Sequence, residues 1–106
     1  MAKNKEMLLK WADALESGKY QQHRGGWGGF RHSHGALCCL NVAIVVATGT
    51  DLDGQISSSM EGTQIVAEQF GIFHDDPREP HWVDLNDFDR LTFPQIAAKV
   101  REYANA

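Results

Sequence analysis

The residues best suited to bind a ligand or a partner lie between Arg24 and Arg31. This stretch, the Gly/Trp segment, reads Arg24-Gly25-Gly26-Trp27-Gly28-Gly29-Phe30-Arg31. Its aromatic rings offer stacking faces, its arginines can bind anions, and glycine N–H groups can approach a phosphate closely. Tryptophan and arginine also anchor many protein interfaces, so the same composition suits a protein-binding hot spot. The segment matches neither a P-loop nor a Rossmann glycine pattern.

The four glycines of the Gly/Trp segment disfavour a helix, because glycine has the largest backbone entropy to lose. We therefore expect a loop or a hairpin tip, and a hairpin whose Trp27 folds back on the core is the alternative to a binding surface. His32 and His34 follow, and in an extended chain they would point to one face. The candidate ligand- or partner-binding residues are Arg24, Trp27, Phe30, Arg31, His32 and Asn86.

Histidine and cysteine form a second candidate group, because imidazole and thiolate are the ligands that zinc prefers. The spacing of His32, His34, Cys38 and Cys39 matches no zinc finger, ribbon or knuckle. A cysteine nucleophile would need an electropositive, partly exposed setting. The two thiols lie in an apolar run that predicts burial and a raised pKa. We expect no catalytic residue, no metal and no cofactor, with a metal-stabilised structural protein as an alternative.

Charge is distributed unevenly along the chain. The formal net charge is −4, which argues against general binding to nucleic acid. Residues 73–90 hold six acids against two arginines. This stretch is either a solvated loop or a patch that docks on a basic partner. Asp51-Leu52-Asp53-Gly54 resembles the middle of an EF-hand loop but lacks the first carboxylate and the final glutamate, so we expect a polar turn there.

The most apolar run, residues 36–48, predicts the buried centre of the fold. It has thirteen residues, of which only Asn41 and Thr48 are polar, and it is too short to span a membrane. Its length and the following Gly49 favour a helix over Cys39–Thr48, whereas its β-branched residues favour a strand. Periodicity alone does not separate the two in a short apolar run.

Helical spacing and capping patterns predict three further helices. The first covers residues 4–17, with Asn4 as its cap and Gly18 after its last turn. The others cover residues 59–70 and the stretch from the Thr92–Gln95 capping box to the C-terminus. Residues 19–22 and 81–85 predict short strands, and Asn86-Asp87 suits a turn. The expected fold class is therefore α+β, as one globular domain over residues 1–106. Three to four helices would pack around the buried apolar segment, with a small β-hairpin or two to three short strands.

The expected compartment is the cytoplasm. The N-terminus has no apolar region of the signal-peptide type. The only cysteines, Cys38 and Cys39, are adjacent and poorly placed to pair with each other. We expect no association with a membrane.

Three short signatures occur in a recognisable order along the chain. They are W-x-x-A-L-x-S-G-x-Y at 11–20, C-C-L-N-V at 38–42, and L-N-D at 85–87 followed by F-x-x-I-A at 93–97. In this order they resemble a family of small uncharacterised proteins of bacteriophage and bacterial genomes, over roughly half of the chain. The family pattern usually has glycine where this chain has Asn41. The resemblance implies a phage or prophage context and action in the cytoplasm of a host bacterium.

The function we expect is that of a small non-enzymatic accessory protein of phage type. It would bind a host protein, in a host-takeover or anti-defence role, through the Gly/Trp segment and the acidic stretch 73–90. The alternative is capture of a phosphate-bearing nucleotide by Arg24, Trp27, Arg31 and Asn86. The sequence leaves the oligomeric state open, including a homodimer.

Overall fold

Helices make up the regular structure of the described chain. The computed structural model describes residues 4–24, 38–48, 64, 67–71 and 79–106. Residues 67–70 are helical. The four longer elements are α1 (Lys5–Glu16), α2 (Cys39–Thr48), α3 (Trp82–Asp87) and α4 (Phe93–Asn105).

Helix α1 begins and ends as its sequence predicts. The Asn4 side chain accepts a hydrogen bond from the Met7 N–H at 3.2 Å and caps the helix. Gly18 follows the last turn with φ +75°, a conformation that glycine adopts without a steric penalty. The backbone N–H of Asn4 also donates to the Phe70 carbonyl at 2.9 Å, so the start of α1 is joined to helical segment 67–70.

Helix α2 confirms the helical interpretation of the apolar run, with the predicted bounds Cys39–Thr48. Val42, Ala43 and Ile44 are fully buried, so burial on all sides outweighs the strand preference of the β-branched residues. The Trp11 indole N–H donates to the Cys39 carbonyl at 2.9 Å and ties α1 to the first residue of α2. Among the described residues, no helix combines the length and apolar character needed to cross a membrane.

Helix α4 starts at the predicted capping box. The Thr92 hydroxyl accepts from the Gln95 N–H, and the Gln95 side chain accepts from the Thr92 N–H at 2.8 Å. Pro94 lies in the first turn, where its missing N–H breaks no helical hydrogen bond. Helix α4 packs along α1, and Arg101 forms ion pairs with Asp13 and Glu16 across that contact.

An aromatic cluster joins three of these helices to segment 67–70. The Trp82 ring lies edge-on to Trp11, with centroids 5.1 Å apart, and edge-on to Tyr103 at 5.9 Å. Trp11 also meets Phe70 edge-on at 5.9 Å. Both tryptophans are fully buried, so these rings form the centre of the core.

The α+β fold class is wrong for the part of the chain that the structure describes, which is 69% helical and contains no strand. The strand predicted over residues 81–85 and the turn at Asn86-Asp87 are instead helix α3. Trp82 and Asn86 lie four residues apart and are both fully buried, as one helical face requires. Residues 81–85 alternate in polarity over a short stretch, which suggested a strand. The helical face was not evident because one of its two buried residues is polar.

Residues 19–22 also form no strand, although Gln22 makes an isolated bridge. Several other expectations lie outside the described residues. They are the loop or hairpin tip at 25–31, the polar turn at 51–54 and most of the helix predicted over 59–70.

Candidate functional site

The side chain of Asn86 lies at the centre of a hydrogen-bond network, which we call the Asn86 network. Its Oδ1 accepts from Gln22 Nε2 at 2.9 Å. Its Nδ2 donates to the His23 carbonyl at 2.8 Å and to Asp87 Oδ1 at 2.7 Å. Asn86 is fully buried, and these bonds use the acceptor and the donor group of its amide. The network therefore attaches residues 22–23 to the last turn of α3.

Arg24 completes this attachment through its guanidinium group. Its Nε donates to the Asn86 carbonyl at 3.1 Å, and its Nη2 donates to the carbonyls of Arg90 and Leu91 at 3.2 and 3.3 Å. Carbonyls at the end of a helix lack intrahelical partners and carry partial negative charge. A cation at this place satisfies them, so Arg24 acts as a cap from a distant part of the chain.

The turn after α3 presents the carbonyls that Arg24 and Gln22 bind. Arg90 has φ 57°, the left-handed conformation that reverses the chain after a helix. The Leu91 N–H donates to the Leu85 carbonyl at 3.0 Å and closes the turn. Gln22 Nε2 then reaches the Leu91 carbonyl at 2.7 Å. Residues 22–24 thus contact both α3 and the connection to α4.

The structure brings together two of the six candidate binding residues, Arg24 and Asn86. Arg24 is half-buried and Asn86 is fully buried, and both are occupied by bonds to the protein itself. Their position is therefore at the base of the Gly/Trp segment, which continues directly from Arg24. The other four candidates, Trp27, Phe30, Arg31 and His32, lie outside the described residues.

The two cysteines are buried in the core. Burial raises the pKa of Cys38 to about 11 and holds the pKa of Cys39 well above its usual value. Cys39 Sγ donates to the Trp82 carbonyl at 3.3 Å. Both thiols are therefore protonated at neutral pH, and this state is neither a strong nucleophile nor a metal ligand. In the described ranges, no three His, Cys, Asp or Glu residues are grouped so that they could hold a metal.

Gln22 and Trp82 are the important residues of this region that the sequence did not single out. Trp82 Nε1 donates to the carboxylate of Glu79 at 3.1 Å, and Glu79 is itself buried. The Trp-x-x-x-Asn spacing of α3 is the signal that could have identified a helical face. Nothing comparable marks Gln22, whose partner is 64 residues away.

Most residues of the three signatures that carry the family resemblance are buried. The buried ones include Trp11, Cys39, Asn86 and Ile96. Trp11 and Cys39, from different signatures, are hydrogen-bonded to each other. These positions therefore contribute to folding, whatever else they do. No family model, curated protein or solved structure matches this chain.

Proposed function

We propose that this protein is a small non-enzymatic binding protein of phage type, which acts in the cytoplasm of a host bacterium by binding a host protein. The Gly/Trp segment is the binding element, with Trp27, Phe30, Arg31 and His32 as its contact residues. The Asn86 network is the observation that carries the proposal. Together with Arg24, the first residue of the segment, it attaches the start of the segment to α3 and to the connection between α3 and α4.

The network supports binding because a segment whose first residue is held in place loses less conformational entropy when it binds a partner. Holding one end of a segment removes part of the conformational entropy that would otherwise be lost when a partner binds. Arg24 donates to three carbonyls, and Gln22 and His23 are joined to Asn86 immediately before it. In this proposal Arg24 and Asn86 position the segment and do not touch the partner.

The same contacts favour a protein partner over nucleotide capture. The nucleotide pocket would take Arg24, Trp27, Arg31 and Asn86 as its ligands. The amide of Asn86 is buried and bonded to Gln22, His23 and Asp87, and the Arg24 guanidinium is bonded to backbone carbonyls. A phosphate would have to displace these bonds, which would leave part-buried polar groups without their partners, at a cost of up to roughly 1–3 kcal/mol each.

The cysteines give further support to a non-enzymatic role. Protonated, buried thiols with raised pKa are poor nucleophiles, so Cys38 and Cys39 are better explained as small core residues. Cys39 also contributes a hydrogen bond to the Trp82 carbonyl, which gives this thiol a structural task.

Affinity capture from bacterial lysate tests the proposal. The wild-type chain, a Trp27→Ala/Phe30→Ala variant and a Glu6→Ala/Lys10→Ala variant would be immobilised in parallel, and retained proteins would be identified by mass spectrometry. Glu6 and Lys10 are exposed on α1 and lie outside the segment, so this pair serves as the control double variant. We expect a protein that wild type and the Glu6→Ala/Lys10→Ala variant retain but the Trp27→Ala/Phe30→Ala variant does not. Equal retention by all three chains would contradict the proposal.

Titration with ATP and GTP separates the two candidate functions. Trp11 and Trp82 are buried, so a nucleotide that stacks on Trp27 would change a fluorescence signal that a Trp27→Phe variant lacks. The protein-binding proposal predicts the same flat titration for both chains. Saturable quenching that is lost in Trp27→Phe would instead support nucleotide capture.

A further inference from the structure

Phe88 is the one large apolar side chain that stands exposed in the described part of the chain. It is 77% exposed, although it directly follows α3. Its backbone is held in place, because the N–H groups of Phe88 and Asp89 both donate to the Asp84 carbonyl at 2.9 Å. Exposing a phenyl ring to water is unfavourable, and a ring on a fixed turn can enter a partner's pocket with little loss of entropy.

A cleft lies one helical turn away from Phe88. It has a volume of about 290 Å³ and lies between α3 and the second half of α4. Leu85 lines it from α3, three residues before Phe88, and residues three apart are neighbours on a helix surface. The lining residues are Pro80, Leu85, Lys99, Glu102, Tyr103 and Ala106. The cleft is therefore mainly apolar, and the charged side chains of Lys99 and Glu102 are exposed at its rim.

The charges around Phe88 complement those around the cleft. Asp89 is exposed beside Phe88 and can meet Lys99 of a second copy, while the exposed Arg90 offers a cation for Glu102. Opposite charges around an apolar contact favour one orientation of docking over others. The cleft and the exposed ring thus have matching properties, and both belong to the same chain.

We propose that this surface forms a symmetric homodimer, in which Phe88 of each copy enters the cleft of the other. Because Phe88 follows Leu85 of the cleft by three residues, a two-fold axis close to Leu85 allows both contacts to form together, as a closed dimer requires. The contact involves no residue of the Gly/Trp segment and stands or falls independently of host-protein binding. Each copy contributes one ring and one small cleft, so we expect a weak dimer that forms at roughly 0.1–1 mM chain.

Sedimentation equilibrium between about 10 µM and 1 mM tests the dimer, with a reducing agent present to exclude a disulfide between copies. Wild type is expected to shift from monomer to dimer across this range. Phe88→Ala is expected to weaken association about 30-fold or more, because each dimer loses two buried rings. A wild type that stays monomeric, an equally strong Phe88→Ala dimer, or species that grow beyond a dimer would overturn the proposal.

Exchanging two charges tests the orientation of the two copies in the dimer. Recovery in the double variant also shows that a loss in the single variants is not caused by misfolding. Lys99→Glu and Asp89→Lys should each weaken the dimer several-fold, and the double variant, which restores opposite charges in both contacts, should recover most of the loss. Lys5→Glu is a matched charge reversal at an exposed position of α1 and should leave association unchanged. Equal effects of Lys99→Glu and Lys5→Glu, or no recovery in the double variant, would contradict this arrangement. Thermal melts of all variants serve as the folding control.

Discussion

Helix α3 is held at its first residue by aromatic packing and at its last turn by hydrogen bonds. Trp82 lies against Trp11 and Tyr103, with ring centroids 5.1 and 5.9 Å away. One turn later, Asn86 is equally buried but is surrounded by the polar groups of Gln22 and His23. Six residues are too few for a helix to be stable alone, so both attachments are needed. We expect the apolar end to supply most of the stability and the polar end to determine which segment lies beside it.

The difference between the two ends follows from the physics of each contact. Burial of an aromatic ring is favourable against many different neighbours. Trp82 therefore places α3 in the core but only loosely specifies which residues surround it. A buried amide is costly unless its donors and acceptor are all matched. Asn86 therefore selects Gln22 and His23 specifically, and this selection sets where the Gly/Trp segment begins.

Truncation of Trp82 gives the largest expected effect. Trp82→Ala removes a fully buried indole and should lower the free energy of unfolding by about 3–5 kcal/mol. Urea denaturation followed by circular dichroism measures this change. Phe88→Ala, an aromatic truncation at a 77% exposed position in the same region, should stay within about 0.5 kcal/mol of wild type. A Trp82→Ala chain as stable as Phe88→Ala would contradict the central place of the aromatic cluster.

Removal of the Asn86 amide should have the next largest effect. Asn86→Ala leaves the part-buried carbonyl of His23 without its donor and should cost about 1–3 kcal/mol. Hydrogen exchange of the amides of residues 22–24 should also accelerate, because the segment loses its anchor. Trp82→Phe keeps an aromatic ring in the cluster but loses the bond to Glu79, so it should also lower stability while leaving the protection of residues 22–24 closer to that of wild type. If Asn86→Ala left this exchange unchanged, the network would not be the anchor.

Alkaline pH should lower the free energy of unfolding through the buried thiols. The pKa of Cys38 in the folded chain is about 11, above the usual value of 9.0. Between these values the unfolded chain has lost the thiol proton while the folded chain retains it. Stability therefore falls as pH rises from about 9 to 11, by roughly 1 kcal/mol per pH unit for this thiol.

The comparison for this pH effect is a Cys38→Ala/Cys39→Ala chain. It retains the titration of tyrosine and lysine side chains, so the difference between the two chains isolates the thiols. The variant should lose stability less steeply above pH 9. Parallel pH profiles for the two chains would show that the cysteines are not protonated, buried groups in the folded state.

The cap of α4 provides the smallest effect and a reference outside both ends of α3. Thr92→Ala removes the side-chain acceptor for the Gln95 N–H and should cost about 1 kcal/mol. Thr92→Ser keeps the hydroxyl and should cost much less. Chemical denaturation resolves the two variants, and an equal loss in both would argue that the methyl group, and not the cap, stabilises this end.

Sequence patterns predicted three of the helices well, because caps, helical spacing and the length of an apolar run are local signals. The α1 cap at Asn4, the bounds of α2 and the capping box at Thr92 are all confirmed. The strand at 81–85 was wrong because a helix of six residues leaves too short a pattern, and its second buried residue is an asparagine. The spacing of apolar residues in the sequence predicts which face of a helix is buried. The burial of a polar residue can be predicted only when its hydrogen-bond partner is known.

The candidate site shows the same limit. Arg24 and Asn86 were chosen as binding residues from their chemistry, and the structure places them in contact. Their partnership could not be read from the chain, because 62 residues separate them. The role of Gln22 depends on the same long-range contact, and glutamine by itself gives no signal of burial or bonding.

A double-mutant cycle between Gln22 and Asn86 tests most directly whether the Asn86 network fastens the base of the Gly/Trp segment. Free energies of unfolding would be measured for wild type, Gln22→Ala, Asn86→Ala and the double variant, with Gln21→Ala as the exposed neighbouring control. Because the two side chains are hydrogen-bonded at 2.9 Å, we predict a coupling energy of about 1 kcal/mol or more. Additive effects, with a coupling energy near zero, would contradict the network.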